Sequence, residues 1–136
     1  DRLSFMKMDG RDLQFPDATF DVAYSLSSIE HFGGVPGAAQ TMREMARVTK
    51  PGGVVAVATE YVVSGPSCDE TFQPHEIHDL VHASGLQLVE PIDEMVWKRY
   101  ETRPVRLDVD PYQSPHMLVQ LGETVFTSVM MFLRKA

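Results

Sequence analysis

The feature that most limits the fold is a continuous apolar run, residues 54–59, which directly follows a segment with helical periodicity. From Pro36 to Lys50 apolar side chains recur every three to four positions, which predicts an amphipathic helix. Pro51, Gly52 and Gly53 then predict a turn with a positive φ at a glycine. A strand that is apolar on both faces is typical of a parallel sheet covered by helices on both sides.

Strand and helix patterns alternate along the rest of the chain. The predicted strands are residues 3–8, 20–26, 86–91 and 124–133, and a second helix runs from about Pro74 to Ser84, ended by Gly85. The last strand follows no strong helix, which predicts an antiparallel closing strand. The order therefore predicts one α/β domain over residues 1–136 with a mostly parallel sheet, interrupted by an irregular segment at 92–122.

Charge and cysteine content exclude several kinds of partner. The net charge is -7, from 12 Lys and Arg against 19 Asp and Glu, which argues against nucleic acid or an anionic membrane surface as partner. The single cysteine, Cys68, cannot form an internal disulfide, and no apolar run reaches the ~20 residues that a membrane span needs. These observations predict a cytoplasmic protein with a small-molecule partner.

Four segments in a fixed order resemble the class I S-adenosylmethionine-dependent methyltransferases. The segments are residues 5–11, 15–25, 29–32 and 44–53, the last ending in Lys-Pro-Gly-Gly. One such segment is weak evidence, but four in order, followed by the expected helix and strands, are specific. The resemblance implies a Rossmann-like sheet, S-adenosylmethionine as cofactor, and methyl transfer to a small or glycan-like acceptor.

The resemblance also implies which residues bind the cofactor. Asp9 matches the acidic residue that accepts the adenine amino group, and the backbone amides of Gly10 and Arg11 are expected to face the ring. Ser25 and Leu26 match the floor under the methionine part. The alternative for Asp9 is an ordinary turn-capping role, which Asp side chains often have.

The candidate catalytic residues are Glu30, His31 and Tyr61. The resemblance places Glu30 and His31 where cofactor and acceptor meet, with Tyr61 near them. His31 is predicted to act as a general base or to position the acceptor, while most of the rate arises from proximity and orientation. The alternative for His31 is a polar surface residue.

The chain departs from the family at the glycine-rich cofactor turn. An acidic-Gly-x-Gly-x-Gly turn is absent from the sequence, and the glycine cluster at residues 33–37 follows the 20–26 strand instead. No strand precedes Leu3 to supply the acidic residue that would hold the ribose. We therefore expect the carboxyl-terminal part of a methyltransferase domain, starting at its third strand, that is inactive alone and binds S-adenosylmethionine weakly or not at all.

Two further patterns suggest other chemistry. His75, His78 and His82 share one helix face, but their spacing differs from that of the zinc-protease helix, so a solvated face is favoured and no metal site is predicted. Cys68 has no base near it in sequence and is interpreted as a loop thiol.

The role of the 92–122 segment is left open between two interpretations. Its aromatic and cationic residues, among them Trp97, Tyr100, Tyr112 and Arg106, suit recognition of a polar acceptor. They equally suit coverage of the sheet edge, with the arginines in solvent.

An oligomer is also predicted from the sheet order 3-2-1-4-5-7-6 that the resemblance implies. The 20–26 strand would lack its neighbour, leaving an exposed edge with Val22, Tyr24 and Val57 under-covered, so a homodimer or higher oligomer is expected. The closing strand should lie inside the sheet. The alternative function is a non-catalytic methyltransferase-like association module.

Overall fold

The structure is a computed structural model that describes residues 3–94, 105–106 and 118–136. Its elements are β1 (Phe20–Leu26), a 3-10 turn (Ile29–His31), α1 (Gly34–Val48), β2 (Thr49–Ser64), α2 (Pro74–Ser84), β3 (Gln87–Leu88), β4 (Val105–Arg106), β5 (Val119–Leu121) and β6 (Thr124–Arg134). The strands form one sheet in the order β1-β2-β6-β5-β4, with β3 paired to β6.

The sheet combines parallel and antiparallel pairs. β1 is parallel to β2 and β4 is parallel to β5, whereas β6 is antiparallel to β2, β3 and β5. The α/β class, with a Rossmann-like sheet and an antiparallel closing strand in its interior, is therefore confirmed.

The first helix and the strand after it join without a separate turn. α1 starts at Gly34, two residues before the predicted Pro36, and β2 begins at Thr49 directly after it. The positive φ predicted at a glycine is confirmed at Gly52, where φ is 76°. Residues 51–53 nevertheless lie within β2, where the pairing with β1 is irregular. Phe20 pairs with Thr49 but Val22 pairs with Val54, so β2 has extra residues between these two pairs.

The second helix has the predicted bounds. α2 runs from Pro74 to Ser84 and buries Ile77, Leu80 and Val81. Gly85, with a φ of 72°, caps its carboxyl end. At its start the Glu76 carboxylate accepts the Gln73 backbone N–H at 2.7 Å, so a donor that the helix cannot pair is satisfied. The strand predicted at residues 86–91 is shorter, since only Gln87–Leu88 pairs with β6.

The predicted strand at residues 3–8 is wrong for this structure. These residues lie in no strand, and Leu3 and Phe5 are 69% and 89% exposed. A strand forms only when a neighbour pairs its backbone groups. Within the described residues, β2 is the one strand that pairs with β1, so nothing stands where residues 3–8 would join the sheet.

Side chains alternate along β2 between a covered and an open face of the sheet. Val55, Val57, Thr59 and Tyr61 are buried on the covered face, in a core that includes residues of α1 and α2. The prediction that Val57 is under-covered is therefore wrong, because its side chain points toward the helices.

The opposite side, which we call the open face, is apolar and exposed. Its exposed members are Val22, Tyr24, Leu26, Met130 and Phe132. They lie in rows across the sheet, such as Tyr24–Ala56–Phe132 and Leu26–Ala58–Met130. The predicted exposure of Val22 and Tyr24 is confirmed.

Candidate functional site

The candidate site lies where β1 ends beside β2. The Ser27 backbone N–H donates to the Ala58 carbonyl at 2.9 Å, which is the last backbone hydrogen bond between the β1 segment and β2. Two residues further along β2, the Phe72 N–H donates to the Glu60 carbonyl at 3.0 Å. The β1 segment and the segment at Phe72 both bond to β2, and a notch at Thr59 and Glu60 separates them. The notch lies at the carboxyl end of a parallel strand, which is where α/β sheets bind ligands.

A cavity of about 260 Å³ occupies this notch, and we call it the notch cavity. Its polar lining includes Glu30, His31, Glu60 and Glu70, and its apolar lining includes Leu121 and Phe126. Glu30 and His31 therefore line one cavity together with two further carboxylates, those of Glu60 and Glu70.

Glu30 and His31 come from the 3-10 turn that follows β1. The Glu30 side chain is 1% exposed, and its Oε2 accepts a hydrogen bond from Thr59 Oγ1 at 2.8 Å. His31 is half-exposed, with Nδ1 3.1 Å from Glu70 Oε1 and Nε2 3.8 Å from Glu30 Oε1. The imidazole ring therefore lies between two carboxylates, with the Glu70 carboxylate the nearer one.

Glu60 is a site residue that the sequence analysis missed. Its carboxylate accepts hydrogen bonds from Ser128 Oγ at 3.1 and 3.2 Å and from Ser27 Oγ at 3.5 Å. Burial raises the pKa of Glu60, and the charge on Glu30 adds to the rise against the lowering effect of the Ser128 hydrogen bond. Its position next to the predicted Tyr61 was the available signal, but only the fold shows which of the two faces the cavity.

Tyr61 does not join the other two candidate catalytic residues. Its side chain is 2% exposed and lies in the hydrophobic core on the face of β2 opposite to Glu60. Burial raises the pKa of the Tyr61 hydroxyl, and the charge on Glu94 adds to the rise. The expected position of Tyr61 beside His31 in the site is therefore corrected, and Glu60 lines the cavity instead.

Asp9 forms a local ion pair with Arg11. Arg11 Nη2 and Nε donate to Asp9 Oδ2 and Oδ1 at 2.7 and 3.0 Å, and the Arg11 backbone N–H donates to Oδ1 at 2.9 Å. The hydrogen bonds from Arg11 lower the pKa of Asp9 to about 2. The carboxylate thus performs the turn-capping role, and the Arg11 amide expected to face adenine is engaged by Asp9, so the cofactor role of both remains a prediction.

A second cavity, about 530 Å³, opens beside Asp9 and is lined by Lys7, Met8, Asp9, Gly10, Arg11 and Phe32. A Cβ placed on Gly10 would lie 3.1 Å from Phe32 Cε2, a tight contact, so the aromatic ring packs closely against the backbone at Gly10. Phe32 was missed as a site residue although it ends one of the segments that carry the resemblance. An aromatic wall next to a carboxylate acceptor fits one end of an adenosine group.

Ser25 and Leu26 line a third cavity, about 550 Å³, which runs along β1. This cavity shares Gly10 and Phe32 with the one beside Asp9, and it extends to Ser28, next to the Ser27 that lines the notch cavity. The predicted cofactor residues and the predicted acceptor residues therefore follow one another along the end of β1.

The remaining candidates give no further site in the described part of the chain. No group of three His, Cys, Asp or Glu side chains there has an arrangement that could hold a metal ion. His78 bonds Glu94 at 2.8 Å on the surface, and the Cys68 backbone N–H donates to Thr71 Oγ1 at 2.9 Å. Trp97, Tyr100 and Tyr112 lie outside the described residues. No described helix is both long and apolar enough to cross a membrane.

Comparison with known sequences finds methyltransferases. Residues 1–57 match the family model of a methyltransferase domain. The 27-O-demethylrifamycin SV methyltransferase of Amycolatopsis mediterranei is 37% identical over 67 residues, which cover 49% of this chain and 24% of that protein. The sterol 24-C-methyltransferase of Eremothecium gossypii is 42% identical over 78 residues, covering 55% and 19%. The chain spans a quarter or less of the length of these relatives.

Comparison with solved structures finds the same fold. The [4+2]-cyclase SpnF superposes with a TM-score of 0.65 at 16% identity, over 98% of this chain and 56% of that chain. The arsenic(III) S-adenosylmethionine methyltransferase of Chlamydomonas reinhardtii superposes with a TM-score of 0.58 at 18% identity, over 90% and 40%. The superpositions show the fold, and the match of residues 1–57 to a methyltransferase domain makes the chain similar in both sequence and fold to class I S-adenosylmethionine-dependent methyltransferases.

Proposed function

We propose that this chain forms part of an enzyme that transfers a methyl group from S-adenosylmethionine to a small or glycan-like acceptor. The observation that carries the proposal is the succession of cavities along the end of β1, from Asp9 to Glu30 and His31. The match of residues 1–57 to a methyltransferase domain supports the reaction type, and the negative charge supports a small-molecule acceptor over nucleic acid. A cytoplasmic location is part of the proposal, based on the single cysteine.

The cofactor-side residues bind and orient. Asp9 accepts the adenine amino group, the amides of Gly10 and Arg11 face the ring, and Ser25 and Leu26 form the floor under the methionine part. When bound, S-adenosylmethionine supplies an electrophilic methyl group on a positively charged sulfur. The low pKa of Asp9 keeps its carboxylate ionised throughout the physiological range, which suits an acceptor of hydrogen bonds.

The acceptor-side residues position the nucleophile. The carboxylates of Glu70 and Glu30 lie 3.1 and 3.8 Å from the two nitrogens of His31, and the His31 side chain lines the notch cavity. Holding the acceptor in line with the methyl group provides most of the rate enhancement in such a displacement. His31 and Glu30 are therefore assigned to acceptor positioning.

Calorimetry with S-adenosylmethionine tests the proposal, on this chain and on the longest form of the gene product. We expect weak or no binding by the chain alone, because Asp9 and Ser25 supply only the adenine edge and the floor. Tight binding by a longer form would support the enzyme, and absence of binding by every form would contradict it. Low-micromolar binding by the chain alone would contradict the expected incompleteness of the site.

The alternative function, a non-catalytic association module, is favoured by one observation, the apolar open face. Large exposed apolar patches often mark protein interaction sites. Under either function we propose a homodimer or higher oligomer that contacts through β1 and this face.

A further inference from the structure

We propose that Glu60 is the catalytic residue that takes the proton from the methyl acceptor, a role that rests on the proposed function. This role requires an acceptor whose attacking hydroxyl or amine group still carries a proton. It rests on where Glu60 lies, on which neighbours hold it, and on how the other titratable groups of the notch cavity are engaged.

Glu60 lies next to the predicted position of the reacting methyl group. Its carboxylate is bonded to Ser27, the residue that directly follows the Ser25 and Leu26 floor. Ser27 adopts a φ of 43°, a left-handed conformation uncommon for a residue with a side chain, and such strained positions cluster at active sites. The carboxylate is thus held at the junction of the floor and the notch cavity.

The partners of Glu60 leave it able to accept a proton. They are the hydroxyls of Ser27 and Ser128, which rotate freely and donate or accept as required. By contrast, His31 stands between Glu70 and Glu30, and the buried Glu30 is bonded to Thr59. The histidine is therefore assigned to positioning. Glu60 lines the cavity and accepts three hydrogen-bond contacts, which leaves its carboxylate further capacity to accept a proton.

The proposed step balances without a further reactant. The acceptor oxygen or nitrogen uses its lone pair to form a bond to the methyl carbon. The carbon–sulfur bond breaks and its electron pair stays on sulfur, while the proton of the acceptor passes to a Glu60 oxygen. Burial and the charge on Glu30 raise the pKa of Glu60, which makes it a stronger base than an exposed glutamate.

Binding of 4-nitrophenol tests the inference, because this probe carries a hydroxyl proton and its absorption changes when the proton is shared with a base. We expect the wild-type chain to bind it with a shift toward the phenolate band. Glu60→Gln keeps the shape but cannot take the proton, so we expect binding weaker by roughly tenfold to a hundredfold and loss of the shift. Glu123→Gln, an equal charge change at an exposed turn outside the notch cavity, should leave both readouts unchanged.

The outcomes separate this inference from the proposed function. Failure of the wild-type chain to bind the probe, or equal binding by Glu60→Gln, overturns the role of Glu60. Binding of S-adenosylhomocysteine by the longest form of the gene product, measured by calorimetry, reports the proposed function independently. We expect Glu60→Gln to leave that binding intact, whereas its absence in the wild-type protein would contradict the proposed function itself.

Discussion

The Asp9 carboxylate combines a local and a predicted functional role. Arg11 binds it through both the side chain and the backbone, which holds the turn and keeps the carboxylate charged. Arg11 already donates two hydrogen bonds to each carboxylate oxygen, which together occupy the roughly four lone-pair sites of the group. The cofactor role therefore requires an adenine amino group to replace or share one of the Arg11 hydrogen bonds.

Replacing Asp9 tests whether the second role exists. In a form of the protein that binds S-adenosylmethionine, Asp9→Ala should weaken binding by about 1 to 3 kcal/mol, because a buried donor of the cofactor loses its partner. Calorimetry measures the change, and Asp12→Ala, in the same exposed loop, is the matched control. An unchanged dissociation constant for Asp9→Ala would leave Asp9 with the turn-capping role alone.

The raised pKa of Glu60 predicts a pH-dependent stability difference. The folded chain holds a proton on Glu60 more tightly than the unfolded chain, whose ordinary pKa is 4.5. The free energy of unfolding therefore falls as pH rises from that value through the raised folded pKa. The Glu60→Gln variant has no carboxyl group to lose its proton at this position. Its free energy of unfolding should therefore rise relative to that of the wild type as the pH increases from 4.5 through the raised pKa.

Urea denaturation at a series of pH values measures this difference. The charged groups that act on Glu60 are Glu30 and His31, so a Glu30→Gln background should reduce the effect by removing the like charge. A difference between Glu60→Gln and wild type that is constant with pH would show that the Glu60 pKa is not raised.

At the scale of elements, α1 holds the loop that carries the predicted cofactor residues. Arg47 donates to the Leu13 and Phe15 carbonyls at 2.7 and 2.8 Å and pairs with Asp17 and Glu44, each at 2.8 Å. The Glu44 carboxylate in turn accepts the Leu13 N–H at 2.7 Å. The polar side of α1 is therefore only partly exposed to solvent, because Glu44 and Arg47 bind the loop at Leu13 and Phe15.

Loss of Arg47 should destabilise the chain. Arg47→Ala removes several hydrogen bonds to a charged group, and we expect the free energy of unfolding to fall by about 2 kcal/mol. Arg47→Lys should recover less than half of the loss, because an ammonium cannot reproduce the planar fork of donors. Urea denaturation measures both, and Arg43→Ala, exposed on the same helix, is the control. Equal effects of Arg43→Ala and Arg47→Ala would contradict the holding role.

At the scale of the whole molecule, the sheet has two unlike faces. The helices cover one face, while Tyr24, Leu26, Met130 and Phe132 remain exposed on the other. β1 also has an unpaired edge among the described strands. An apolar face that continues to a free strand edge is the geometry from which we predict self-association.

Light scattering at micromolar concentration tests the predicted oligomer. We expect a dimer or larger species for the wild-type chain, and Tyr24→Glu should shift it to the monomer because a buried carboxylate in the contact would be unpaired. Ala83→Glu adds the same charge on the exposed side of α2, which covers the opposite face of the sheet, and should leave the oligomer intact. A monomeric wild-type chain would contradict the prediction.

The elements that local sequence specifies were predicted well. The α2 bounds follow from Pro74, the apolar spacing and Gly85, and β1 and β6 follow from their apolar and β-branched runs. The ordered segments also indicated the resemblance to methyltransferases, because they depend on residue types at fixed spacing rather than on contacts. These features were predictable because their causes lie within a few residues of one another.

Contacts between distant residues decided the rest. Residues 3–8 have a strand pattern but no partner strand, so the pattern alone could not form a strand. Glu60 and Tyr61 are neighbours in sequence, yet pairing of Glu60 with Ser128 and packing of Tyr61 in the core send them to opposite faces. The sequence by itself therefore determined the resemblance to methyltransferases, the helices and the main strands. Tertiary structure decided which side chains share the site, because successive residues of a strand point to opposite faces of the sheet.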